Sequence, residues 1–144
     1  IAKTKDLKLV AEKIPTAARK LIKTFWPGPL TIVFAKQHAV PKEVTGGGLT
    51  VAVRLSPHPI ALALIKAAGT PITAPSANLS GQPPHRTAAG VNKEFQDNKY
   101  IDLILDSGKT PLSKPSTIVD VTKNPPIIVR AGAISKNKVN KILS

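Results

Sequence analysis

The sequence predicts a mixed α/β (α+β) fold in one domain spanning residues 1–144, and three observations lead there. Segments with helical spacing interleave with short β-type runs, and no segment repeats another, which is the order expected of a sheet with flanking helices. The chain is 42% apolar but only 3% aromatic, so Val, Ile, Leu and Ala must fill the core. No shift in composition marks a second domain, and 144 residues suffice for one buried core.

The elements follow in order. From Pro15, the residues Ala18, Leu21, Ile22 and Phe25 fall at i, i+3, i+4 and i+7, one face of a helix that stops at Trp26-Pro27-Gly28-Pro29. Leu30 to Ala35 is a short apolar run that reads as a largely buried strand. A polar loop then leads to Gly46-Gly47-Gly48. Leu49 to Leu55 alternates: Val51, Val53 and Leu55 point one way, and Thr50, Ala52 and Arg54 the other. Thr50 and Arg54 therefore share a strand face, roughly 13 Å apart at about 3.3 Å per residue.

Helical spacing returns at Ala61, Leu64, Ile65 and Ala68, with Pro59 suited to the first turn and Gly69 with Pro71 supplying the stop. Pro71 to Ala74 reads as a short strand, and Thr87 can cap a helix running towards Phe95. Leu103 to Leu105, Thr117 to Val121 and Ile127 to Arg130 read as further strands. Ser135 can cap a last helix that presents Val139, Ile142 and Leu143.

Composition excludes several functional classes. There is no cysteine, so disulfides and thiolate metal sites are impossible. No apolar run approaches bilayer length and no secretory signal follows Ile1, so a soluble, cytoplasmic chain is expected. There is no methionine either, and a chain opening at Ile1 is expected to be processed or a piece of something longer. Lys plus Arg number 21 against 8 Asp plus Glu, a net charge of +13 that attracts polyanions. Lysines such as Lys3, Lys5, Lys8, Lys13, Lys136, Lys138 and Lys141 can equally well solvate helix faces, and Trp26 with Tyr100 is too little for a base-stacking platform.

Most candidate motifs fail on spacing. SGKT at 107–110 resembles the end of a phosphate-binding P-loop, but Leu103 stands where the first glycine belongs, and Pro111 and Pro115 prevent the helix that must follow. The glycines at 46–48 lack the G-x-G-x-x-G spacing. His38, His58 and His85 lie between prolines without ligand spacing, and Asp102 and Asp106 suit turns, so no protein metal site and no covalent nucleophile is expected. TAPSANLSG at 73–81 is different, because Ser76, Asn78 and Ser80 follow a strand end, where loops carry binding groups. Its backbone N–H groups and hydroxyls can hold phosphate oxygens, or can close an elaborate Asx/Ser turn.

Five stretches in order, FWPGPLTIVF (25–34), TVAVRLSPHPIALALI (50–65), GTPITAPSANLSGQPP (69–84), KPSTIVDV (114–121) and IIVRAGAIS (127–135), resemble the YrdC-type threonylcarbamoyl-AMP synthases. The resemblance covers almost the whole chain. It implies a twisted mixed sheet with flanking helices around a basic cleft, and a reaction in which L-threonine, bicarbonate and ATP give threonylcarbamoyl-AMP and pyrophosphate, with Mg²⁺ on the phosphates. A threonylcarbamoyl-transferase complex would then carry the group to the adenosine beside the tRNA anticodon.

By the same resemblance, Thr50, Ser76, Asn78 and Arg130 are expected at ATP, and Arg54, the backbone of Ala74, and Ser116 at threonine. A guanidinium suits a carboxylate because it offers two parallel donors. Family members carry roughly 60 to 80 further residues ahead of this region, by the usual domain size, with a Lys-x-Arg and a Ser/Asn-Lys element. Neither has a counterpart before Phe25, so the chain is expected to be the central and C-terminal part of such an enzyme. The alternatives are a non-catalytic module of the same fold that binds tRNA or other RNA, and an inactive fragment.

Overall fold

A computed structural model describes residues 1–111 and 114–144, and it has the expected mixed α/β architecture. The chain forms two compact units, one comprising Ile1–Thr73 with Lys114–Ser144, the other Ala74–Ser113.

Four strands among the described residues of the first unit form one sheet: β1 (Leu30–Ala35), β2 (Thr50–Arg54), β3 (Thr117–Asp120) and β4 (Ile127–Arg130), in the order β2-β1-β3-β4. β2 is antiparallel to β1, β1 parallel to β3, and β3 antiparallel to β4, with a bulge at Ile118/Val119. The alternation read from the sequence sets which face is buried. Leu30, Ile32 and Phe34 of β1, Val53 of β2 and Val119 of β3 enter one apolar cluster. Helix α1 (Thr16–Phe25) supplies Ala18, Leu21 and Ile22 to it, and the 3₁₀ helix Thr4–Leu9 supplies Leu7. Val139 comes from the last helix, Lys136–Leu143, which packs against α1.

The opposite strand face mixes apolar residues, Val33, Ala52 and Ile118 among them, with polar ones. Thr31 and Ser116 lie there half-buried, and Thr50, Arg54 and Arg130 are exposed. Two short helices complete this unit: α2 (Lys42–Thr45) and α3 (Pro59–Ala68). α3 ends where Gly69 adopts φ 66°, a left-handed conformation that glycine reaches without steric cost.

The second unit carries α4 (Ala88–Phe95), whose N-terminus is capped as expected: Thr87 Oγ1 accepts from the Gly90 N–H at 3.2 Å. The last helix is then α5, and Ser135 Oγ caps it through the Lys138 N–H. Arg86 ties two segments of the unit together by donating Nε and Nη2 to the Thr110 carbonyl at 3.0 and 2.8 Å.

Two strand expectations are corrected. Pro71 to Ala74 and Leu103 to Leu105 pair with no other strand and are extended chain. Pro71 lacks the N–H a ladder needs, and Leu103 and Leu105 are 75% and 57% exposed, so their side chains gain nothing from a partner. The SGKT segment is a turn, as its spacing suggested: Asp106 Oδ1 accepts from the Gly108 N–H at 2.8 Å. Among the described residues, no helix is long and apolar enough to cross a membrane.

Candidate functional site

The polar face of the sheet is organised around the junction that leads into β3. Thr117, on the core side of β3, is the only buried polar residue among those described, and its hydroxyl is fully used. Thr117 Oγ1 donates to the Ile134 carbonyl at 2.7 Å and accepts from the N–H groups of Gly132 and Ile134 at 3.1 and 3.0 Å. One donor and two acceptors exhaust what a hydroxyl offers. This clamp fixes the chain on both sides of Ser116, because the Ala133 N–H also reaches the Pro115 carbonyl at 2.9 Å. Gly132 lies so close that a Cβ there would sit 2.2 Å from the Pro115 carbonyl oxygen.

Ser116 is therefore held at a defined place, and Arg130 of β4 grips it. Arg130 donates Nε and Nη2 to the Ser116 carbonyl at 3.2 and 2.9 Å, and Nη2 to Ser116 Oγ at 3.2 Å. From β1, Thr31 Oγ1 lies 2.8 Å from Ser116 Oγ. Thr31 is in turn the register partner of Arg54 across β1 and β2. The strand register aligns Arg54, Thr31, Ile118 and Arg130 in one row across the sheet, roughly 14 Å long at about 4.8 Å per strand, and Ser116, two residues ahead of Ile118, links Thr31 to Arg130 through its hydroxyl.

The Trp26–Leu30 turn fixes the other end of the row. Trp26 Nε1 donates to the Leu30 carbonyl at 2.7 Å, and the Gly28 N–H donates to the Leu55 carbonyl at 3.0 Å. The Gly28 carbonyl then accepts from Arg54 Nε at 3.0 Å. That bond orients the guanidinium and leaves both Nη groups available for a carboxylate. Among the described residues, the ion pairs are Lys3–Asp6 and His85–Glu94, so neither Arg54 nor Arg130 is neutralised by a carboxylate. Two unneutralised guanidinium groups on one face favour an anion.

Thr50 stands at the far end of β2, opposite Ala35. Ala74, Ser76 and Asn78 belong to the second unit, where Ala74 and Ser76 are exposed. Asn78 Nδ2 donates to the carbonyls of Leu79 and Gln82, both at 2.9 Å, so this side chain shapes its own loop, while its Oδ1 is buried without a partner.

Sequence reading missed the group that holds this loop. Glu94 of α4 accepts from the Leu79 N–H at 2.6 Å through Oε1 and pairs with the His85 ring through Oε2. The hydrogen bond to His85, seconded by the Leu79 N–H, holds the Glu94 carboxyl below its usual range. A depressed carboxylate pKa stabilises the fold at pH above the ordinary glutamate range, and that contribution is lost as pH falls through the lowered value. Glu94→Ala should therefore abolish hydrogen-exchange protection of the Leu79 amide at neutral pH, whereas the parent loses it only as pH falls below the ordinary glutamate range. Unchanged protection in Glu94→Ala would show that the loop is held by something else. Thr31, Gly28 and Gly132 were also unassigned. The only local signal for any of them is that Thr31 falls on the solvent phase of an otherwise apolar strand.

Residues 1–132 match the family model Sua5/YciO/YrdC, described as telomere recombination. The threonylcarbamoyl-AMP synthase of Pyrococcus abyssi is 43% identical over 143 residues, 99% of this chain and 42% of that protein. That of Bacillus subtilis is 38% identical over 144 residues, 99% of this chain and 41% of that protein. A solved structure of P. abyssi Sua5 complexed with L-threonine superposes with a TM-score of 0.90 at 43% identity, covering 99% of this chain and 41% of that one. The chain spans about two fifths of the length of these relatives.

Proposed function

The chain belongs to the Sua5/YciO/YrdC family, and on that premise we propose that it is the substrate-binding part of a cytoplasmic L-threonylcarbamoyladenylate synthase. What supports this reading is the group of Arg54, Thr31, Ser116 and Arg130, linked by strand pairing and hydrogen bonds, which offers two guanidinium groups unneutralised among the described residues and two hydroxyls. The substrates are L-threonine, bicarbonate and ATP, and the products threonylcarbamoyl-AMP, pyrophosphate and water.

In this reading the Arg54 Nη groups take the threonine carboxylate, and Ser116 and the Ala74 backbone are assigned to the same substrate. Thr50, Ser76, Asn78 and Arg130 serve the nucleotide. Threonine's amine attacks the carbon of bicarbonate-derived CO₂ and loses a proton, giving a carbamate. A carbamate oxygen attacks the α-phosphorus of ATP, and the α–β bridging oxygen departs with pyrophosphate. The protein's part is to hold the reactants in line and offset charge, and neither step requires a protein nucleophile. Mg²⁺ would accompany the ATP phosphates and offset their charge. The product passes to a transferase that acts on tRNA.

Arg54→Ala tests the assignment. Calorimetric titration should show L-threonine binding weakened by about 1.5–3 kcal/mol, the range for hydrogen bonds to charged groups, with a smaller effect on ATP. Equal loss of both ligands would remove the division of roles. Pyrophosphate release that requires threonine, bicarbonate and ATP together, from protein that carries this chain, separates the synthase from a module that only binds RNA.

A further inference from the structure

Thr31 has no role in the pocket as described, yet its hydroxyl reaches Ser116 from the centre of the sheet at 2.8 Å. The direction of that hydrogen bond can be argued from the donors and acceptors around it. A serine or threonine hydroxyl offers one donor and two acceptor positions, whereas a guanidinium only donates. Ser116 Oγ therefore accepts from Arg130 Nη2 at 3.2 Å. Among the described residues, Thr31 Oγ1 has no hydrogen-bond partner other than Ser116.

Two arrangements remain. If Ser116 donates to Thr31, its proton is directed into the sheet and it presents no donor to a ligand. If Thr31 donates to Ser116, then Ser116 accepts from Thr31 and Arg130 together, and its own O–H is free to turn outward. An anionic oxygen arriving between Arg54 and Arg130 selects the second arrangement, because a hydrogen bond to a charged acceptor is roughly twice as strong as one between neutral groups. We propose that Thr31 is a positioning residue for the amino-acid substrate: by donating to Ser116 it turns the Ser116 proton towards a substrate oxygen, so that the two hydroxyls act as one relay. The inference rests on the reading above that Ser116 faces the amino acid.

The surroundings suit such a relay. Thr31 is β-branched and sits in the central strand, so its χ1 is restricted and Oγ1 does not wander. Ser116 is fixed through its carbonyl by Arg130 and through its neighbour Thr117 by the clamp to Ile134. What remains free to change is the direction of two protons.

The test uses Thr31→Val, which keeps shape and removes the hydroxyl, Thr31→Ser, which keeps the hydroxyl, and Ser116→Ala, alone and combined with Thr31→Val. Each protein is titrated with L-threonine and, separately, with ATP. Thr31→Val should weaken L-threonine about 5- to 10-fold, leave ATP within about 2-fold, and be rescued by Thr31→Ser. In the Ser116→Ala background, Thr31→Val should add nothing, because the relay has already lost its terminal donor. If Ser116→Ala weakens L-threonine but Thr31→Val does not, or if the two effects simply add, the relay is wrong while the reading of Ser116 stands. If Ser116→Ala leaves L-threonine binding unchanged, Ser116 does not face the amino acid and both statements fall. A loss in Thr31→Val that Thr31→Ser does not restore, or that extends equally to ATP, would mean that Thr31 acts through packing and would overturn the proposal.

Discussion

Gly132→Ala will destabilise the chain by about 3 kcal/mol or more, the upper range for forcing an added methyl group into a close-packed site. The added Cβ would stand 2.2 Å from the Pro115 carbonyl oxygen, 2.6 Å from the Ser116 carbonyl carbon and 2.7 Å from its oxygen. All three neighbours are backbone, so no flexible side-chain end can yield, and one of the two segments must move. Ser116 would move with it, because the atoms displaced include the carbonyl that Arg130 grips. The thermal midpoint should fall by roughly 6–12 °C, and L-threonine affinity measured well below that midpoint should fall too. A midpoint within about 1 °C of the parent would mean that the two segments approach less closely than described.

Thr117→Val is the second large effect, and its cause is chemical where that of Gly132→Ala is steric. Valine fills the same volume but leaves the Gly132 N–H, the Ile134 N–H and the Ile134 carbonyl without their partner, the last two fully buried. Each buried group left unsatisfied costs about 1–3 kcal/mol, so a loss of about 2–5 kcal/mol is expected in denaturant titration. Thr117→Ser retains the hydroxyl and should recover most of it. If serine and valine proved equally damaging, the methyl packing of Thr117 and not its hydrogen bonds would hold the junction.

These two residues mark where the sequence stops being informative. The helix face Ala18, Leu21, Ile22, Phe25 and the alternation across Thr50–Arg54 were legible, because a local period is enough to say which side chains turn inward. Leu103 to Leu105 misled because three apolar residues have no period, and only a partner strand could have made them one. The α2 helix, four residues long, is too short for a period to appear at all. Arg54, Ser116 and Arg130 were named from motifs, but their connection through Thr31 depends on pairings between β1, β2, β3 and β4 that no window of ten residues contains. Gly132 shows the limit most plainly. Its neighbours Ala131 and Ala133 are small as well, and what sets it apart is the backbone of Pro115 and Ser116 approaching from another part of the chain.

Asn78 was legible as a loop residue of importance, and the geometry gives it a local task. Its amide N–H groups close the loop onto the Leu79 and Gln82 carbonyls, whereas in the Asx turn that the sequence offered beside anion binding the side-chain oxygen would accept, and Oδ1 has no partner among the described residues.

The parallel pairing of β1 with β3 imposes a timetable on the chain's birth. Thr31 and Ser116 are 85 positions apart, an interval that a ribosome working at about 5–20 residues per second needs roughly 4–17 s to translate. β2 can zip onto one side of β1 early, while the other side stays a naked edge until β3 has emerged. A nascent chain halted in that interval offers a sticky rim to chaperones or to its siblings, and the link from Thr31 through Ser116 to Arg130 cannot exist before then.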